Sequence, residues 1–220
     1  MQNSRATDIV AGLATVGALA AAALFICEWP PSVHRDIHEA IGQALAKEAT
    51  DLLGDGGQIT VITRDTTAFK QPAAEILLDS FKREVRRVSA ASVKTLALQV
   101  DPLKPVQVPP GDFFELIRKG TQRDVIVSLM GPPFLTEEQH AQLGEIKPRI
   151  VAFCSGNLAE YIDLRTLFEE RLLHAAVVSR RNDPGSASNP EKLRESFEQL
   201  YIRISATNLA SLPVPTVAAQ

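Results

Sequence analysis

Residues 125–129 read VIVSL and residues 150–154 read IVAFC, two short apolar runs that do not alternate with polar residues. A strand with one wet face alternates, so an unbroken run marks a strand covered on both faces, as in a parallel sheet wrapped by helices. ITVIT at 59–63, TLALQV at 95–100 and AAVVS at 175–179 have a similar character. Between these runs the apolar residues fall at helical spacing, near 71–87, 112–119, 136–146 and 163–173. Strand and helix in strict alternation imply parallel pairing through right-handed crossovers. The expected fold is therefore α/β: a three-layer, doubly wound, mostly parallel sheet of five strands, with YIRIS at 201–205 as a sixth.

The punctuation agrees. Asp112-x-x-Glu115 and Thr136-x-x-Gln139 match the capping box, in which the first side chain accepts a backbone N–H and the later one returns the bond. Asp163 is placed to cap the fourth helix, and Asn189-Pro190 is an N-cap followed by the proline favoured at the first helical position.

Working outward to the N-terminus, Ile9 to Cys27 reads IVAGLATVGALAAAALFIC with no charge. That run is close to the roughly 20 residues a helix needs to cross a bilayer. Trp29 stands at interface level, and Pro30-Pro31 stops the helix. A cleaved signal would have a shorter apolar stretch and a small-x-small exit, whereas the exit here is Leu24-Phe25-Ile26-Cys27. Retention as a signal anchor is the expectation, with the body of the chain carried across the membrane. Val33, Ile37, Ile41, Leu45, Ala49 and Leu52 then recur every three or four residues, an amphipathic helix over roughly 32–53 that ends at Gly54-Asp55-Gly56-Gly57. The expected organisation is a transmembrane signal anchor at 1–29, an amphipathic linker helix at 30–57, a flavodoxin-like α/β domain at 58–207 and a flexible C-terminal tail at 208–220.

Composition excludes several functions. A net charge of −3 and 5% aromatic residues offer neither attraction for polyanions nor stacking platforms, so nucleic acid is not an expected partner. Cys27 and Cys154 are too differently placed to pair within one chain. Neither G-x-G-x-x-G nor G-x-x-x-x-G-K-[ST] follows a strand, and G-x-S-x-G is missing. His34 and His38 lie at i, i+4 spacing, but their acidic neighbours Asp36 and Glu39 point other ways, so no metal and no cofactor are expected. The cluster Lys82, Arg83, Arg86 and Arg87 suits the C-terminal end of its helix and is also a candidate seat for an anionic partner.

Ligands of open parallel sheets bind outside the carboxyl ends of the strands. That rule selects Asp65 and Thr66 after the first strand, Gly131 after the third, Ser155, Gly156 and Asn157 after the fourth, and Arg180 after the fifth as tentative binding residues, with no catalytic residue among them.

QITVITRD at 58–65, DVIVSLMGPP at 124–133 and RIVAFCSGN at 149–157, with helices between, resemble one lobe of the type I periplasmic binding proteins. Those families bind ligand between two lobes, and this chain has residues for one. The element order is also similar to response-regulator receivers, but Arg64-Asp65, Leu129-Met130 and Arg180 replace the acidic pair, the aspartate and the lysine that phosphotransfer needs. The functional expectation is a membrane-anchored, non-catalytic interaction or accessory subunit that contacts other membrane or envelope proteins, its soluble domain extracytoplasmic (periplasmic). The alternative is a small-ligand binding or sensing module that uses the strand-end loops.

Overall fold

A computed structural model describes residues 34–68, 70–100, 107–180 and 197–212. The apolar segment 9–27, the Asn189-Pro190 cap and residues 213–220 lie outside them. Among the described residues, no helix is long and apolar enough to cross a membrane.

The strands are β1 (Ile59–Arg64), β2 (Val93–Leu98), β3 (Val125–Ser128), β4 (Arg149–Cys154), β5 (Ala175–Ser179) and β6 (Tyr201–Ser205). They form one sheet in the order β2-β1-β3-β4-β5-β6. The first five run parallel and β6 pairs antiparallel with β5, in register Ser179↔Tyr201 through Ala175↔Ser205. All four residues of β3 are buried, as an unbroken apolar run at the sheet centre requires.

Helices cover both faces. α1 (Arg35–Leu52) and α2 (Pro72–Val88) lie on one side, where Ile41, Leu45, Leu77 and Phe81 pack on Ile59, Val61, Val127 and Val151. On the other side α3 (Pro110–Lys119), α4 (Glu137–Ala141), α5 (Leu158–Tyr161) and α6 (Leu164–Glu169) accompany a second cluster that includes Phe113, Ile117, Ile126, Ile150, Cys154 and Phe168. α7 (Phe197–Leu200) precedes β6, and a 3-10 turn at Leu209–Ser211 follows it. The compact unit containing these elements starts at Arg35, so α1 is part of the domain's core.

Several boundaries differ from the sequence expectation. α3 begins at Pro110, with Pro109 in the N-cap position and no side-chain cap, so Asp112 lies inside the first turn and the Asp112/Glu115 box does not form. Proline fits the first helical position because its missing N–H has no partner there in any case. The capping box at Thr136/Gln139 is present, yet its helix is only five residues long. Asp163 caps α6 through the Thr166 N–H at 3.2 Å, and α6 stops at Glu169, two residues before Arg171 takes a positive φ of 56°. Residues 208–212 are fastened to β6 and are not part of a loose tail, because the Asn208 amide binds both Arg203 O and Ser205 N–H.

The two helices on the first face approach closely at Gly42. A Cβ there would stand 2.5 Å from Leu77 O and 2.9 Å from Phe81 N, both rigid backbone atoms. The Ser80 hydroxyl, buried in the same contact, donates to Glu39 O at 2.8 Å. Gly42→Ala would gain about 1 kcal/mol of helix propensity. The methyl must also force the helices apart, and overpacking typically costs about 1–3 kcal/mol. A net loss of stability is expected, read as a lower denaturant midpoint by circular dichroism; an unchanged or higher midpoint would show that the crossing yields.

Candidate functional site

The strand-end residues singled out from sequence divide into two groups in the fold. The Asp65 N–H donates to Leu98 O at 2.8 Å, and its carboxylate accepts the Thr67 N–H at 2.9 Å. These bonds from Thr67 hold the Asp65 carboxyl below its ordinary value. Thr66 sits half-buried beside it. Gly131 is buried with φ 95°, and a Cβ there would lie 3.0 Å from Leu158 Cδ2, so this loop is pressed onto α5. Ser155, Gly156 and Asn157 are exposed, and the Gly156 N–H donates to Ser179 Oγ at 3.0 Å. Asn157 stands at the N-cap of α5 without a capping bond.

Arg180 belongs elsewhere. Its N–H donates to Leu200 O at 2.7 Å and its Nε to Glu198 O at 2.8 Å, which draws the guanidinium toward α7. There it lines a groove of about 710 Å³ between α1 and β6. That volume lies within the range of roughly 300–1,000 Å³ occupied by small-molecule sites.

The groove follows from the pleat of β6. Alternate side chains of a strand point to opposite faces, so Ile202 and Ile204 join the cluster under α3 to α6, while Tyr201 turns to the α1 side. Arg203 and Ser205 share the Tyr201 face. The Tyr201 ring stacks on Phe197 at 5.7 Å between centroids and meets Phe153 at 5.8 Å. Burial pushes the phenol of Tyr201 up, against a hydrogen bond from Ser179 that lowers it. The facing wall is one flank of α1, where Ala40 and Ala44 leave room and Gln43, Lys47 and Glu48 supply polar groups.

The charges of the groove are unequally committed. Lys47 pairs with Asp51 at 2.8 Å, and Glu84 with Arg87 at 2.6 Å. Arg203 and Glu48 stand 3.9 Å apart, at the far limit of an ion pair, with side chains 49% and 19% exposed. Burial raises the pKa of Glu48, and the attraction of Arg203 only partly offsets it.

Several other titratable groups are occupied structurally. Half of the basic cluster on α2 is neutralised, since Arg83 lies 3.6 Å from Glu39 and Arg87 binds Glu84. His174 accepts the Ile150 N–H at Nδ1, at 3.1 Å, and burial, followed by the charges of Arg149, Arg171 and Lys147, lowers its pKa to about 4. The Cys154 thiol is buried and pushed up to about 12 by desolvation, which leaves it protonated and unreactive.

No protein-family model matches the chain, and no curated protein matches it. Among solved structures it is similar to an ABC transporter solute-binding protein from Burkholderia graminis C4D1M in complex with D-arabinose, at 15% identity and a TM-score of 0.44, over 64% of this chain and 47% of that one. It is also similar to the XylFII molecule, at 11% identity and a TM-score of 0.44, over 64% of this chain and 48% of that one. A sugar-binding protein of a sugar ABC transporter from Bacillus halodurans aligns at 11% identity and a TM-score of 0.46, over 80% of this chain and 64% of that one. The chain thus spans about half the length of the first two structures.

Sequence reasoning reached Arg180 and missed the rest of the groove. Its walls, Gln43 to Glu48 and Tyr201 to Ser205, are more than 150 positions apart, and their only local signals were the polar side of an amphipathic helix and a short alternating strand.

Glu48 supplies a test by pH. Its folded pKa is raised, so the native state holds this proton more tightly than the unfolded chain, and the stability it contributes is lost as pH rises from the ordinary glutamate value through the folded one. Glu48→Gln should therefore be more stable than wild type at pH 7, by up to about 0.5 kcal/mol for so long and weak a pair. The advantage should shrink as pH falls toward the ordinary glutamate value. Urea titrations of both proteins at pH 7 and pH 5 measure it, and an advantage that grows on acidification would reverse the assignment.

Proposed function

We propose that this chain is a membrane-anchored, non-catalytic small-ligand binding module whose ligand seats in the groove between α1 and β6. The observation that carries the reading is the groove itself: about 710 Å³, floored by stacked aromatic rings and rimmed by under-paired charges on two rigid elements. Sites of this kind combine an apolar surface with a few placed polar groups. The reactive side chains described above favour binding over chemistry, since the Cys154 thiol is protonated and the His174 ring is committed to the backbone of Ile150.

Thermal unfolding of the purified full chain against a metabolite library tests the reading. A true ligand at 100 times its dissociation constant adds about 2.7 kcal/mol, or roughly 5–10 °C for a protein of this size. The shift should be lost in Arg203→Gln. A library that leaves the transition unmoved, or a hit indifferent to Arg203, would overturn the reading.

A second reading, an accessory subunit that docks on another membrane or envelope protein, is favoured by one observation. Phe134 and Tyr161, 52% and 77% exposed, flank the strand-end loops that hold Gly131 and Asn157, and paired exposed aromatics near polar loops suit a protein contact.

The anchor belongs to both readings. Residues 9–27 are proposed to span the bilayer and to leave the α/β domain outside the cytoplasm, on the strength of their uncharged length. The protein should remain in the membrane pellet after carbonate washing. An N-terminal sequence of the mature protein that begins at or after Cys27 would sink the anchor.

A further inference from the structure

Resting on the binding reading above, we propose that the α1–β6 groove receives a small zwitterion of the α-amino-acid type, its carboxylate held by Arg180 and Arg203, its ammonium by Glu48 and Glu198, and its side chain laid on Phe197 and Tyr201.

Among the described residues, the charges that line the groove are three cations and three anions: Lys47, Arg180 and Arg203 against Glu48, Glu84 and Glu198. Lys47 and Glu84 are satisfied by partners at 2.8 and 2.6 Å that are not part of the lining. The remainder is two guanidiniums and two carboxylates without a close ionic partner among the described residues. Arg180 spends its Nε on a neutral carbonyl, that of Glu198, and its terminal nitrogens form no ion pair with a carboxylate among the described residues. Arg203 meets Glu48 only at 3.9 Å, beyond hydrogen-bonding distance. Glu198 forms no ion pair among the described residues.

This balance selects against simpler ligands. A bare anion that settled on the two arginines would bring its charge beside Glu48, and a bare cation at Glu48 would stand beside Arg203. A zwitterion presents each sign to its opposite. It also exchanges one long, poorly aligned contact for charge-assisted hydrogen bonds of ordinary length, and guanidinium forks suit a carboxylate particularly well. The positions agree with the size of such a ligand. Tyr201, which pairs with Ser179 next to Arg180, and Arg203 are two residues apart on β6, about 7 Å at the rise of a strand, which side chains of arginine length span easily. The Tyr201 ring, stacked on Phe197, offers an apolar surface for the substituent.

The experiment uses the full chain in detergent and four probes of one shape: L-phenylalanine, 3-phenylpropanoate (no ammonium), 2-phenylethylamine (no carboxylate) and 2-phenylethanol (neither). Calorimetry should show L-phenylalanine binding at least about tenfold more tightly than each of the others, the ratio expected for loss of one charge-assisted hydrogen bond. Arg203→Gln should weaken L-phenylalanine about tenfold and leave 2-phenylethylamine unchanged. Glu48→Gln should weaken L-phenylalanine and leave 3-phenylpropanoate unchanged, with folding of both variants verified by circular dichroism. If a singly charged or neutral probe binds as tightly as L-phenylalanine, the zwitterion inference falls and the binding reading stands. If none of the four binds, the inference falls as well, and the metabolite library decides separately whether the groove binds anything.

Discussion

The absence of a side chain at Gly42 fixes the face of the domain on which recognition is proposed. With a Cβ at this position 2.5 Å from the Leu77 carbonyl, no other residue allows α1 and α2 to cross so closely, and the Ser80–Glu39 hydrogen bond is made across the same contact. Because the helices share one footprint, α1 also reaches over β3, β4 and β5 and buries Ile41, Leu45 and Ala49. Its opposite flank is then left beside β6, where Ala40 and Ala44 leave room and Gln43, Lys47 and Glu48 line the space toward the strand. The groove is thus a consequence of how tightly the other side of α1 is packed.

The lower end of the sheet is tied by a single carboxylate. Asp124 accepts the Gln58 N–H at 2.9 Å and the Thr121 N–H and hydroxyl at 2.8 Å each. Burial works against its ionisation, but these bonds outweigh the desolvation and hold its carboxyl below the usual range. Next to it Gly57 admits no side chain, since a Cβ would fall 1.9 Å from Arg123 O, and the Gly54 N–H donates to that same carbonyl. The turn from α1 into β1 is therefore fastened to the start of β3, and this sets the height of α1 over the sheet. Two constraints, one near the middle of α1 and one just past its C-terminus, leave it little freedom to slide, which suits a wall of a binding site.

How much of this was legible depends on whether the signal was local. The strands were, because burial on both faces writes itself into unbroken runs such as VIVSL, and the caps at Thr136 and Asp163 were, because a cap is a bond between near neighbours. The start of α3 was misread: two prolines, a local signal too, outweighed an apparent capping box. The shortness of α4 and α6 was not legible from apolar spacing that continued past them. The candidate site was legible only at Arg180. The strand-end rule directs attention to the residue after β5, but β6 turns back antiparallel and captures that arginine through Leu200 O and Glu198 O. The partners that make Arg180 part of a groove lie on α1, on the far side of the sequence, and no window of neighbouring residues contains both.

The antiparallel turn of β6 has one further effect. An edge strand exposes every second peptide group, and such edges recruit other strands. The Arg180 N–H to Leu200 O bond fixes the alternation along this pair, so Arg203 and Ser205 turn their peptide groups away from β5. Asn208 meets those outward groups with its own side chain, donating to Arg203 O at 2.8 Å and accepting from Ser205 N–H at 2.7 Å. A carboxamide has the donor and acceptor of a peptide unit, so it occupies the place that an incoming strand would take. Addition of a strand to this end of β6 is blocked by the chain itself, while the face of the same strand, with Tyr201 and Arg203, stays open to the groove. Contact through β6 is thereby directed away from backbone pairing, which accepts any extended sequence, and toward side chains, which can discriminate.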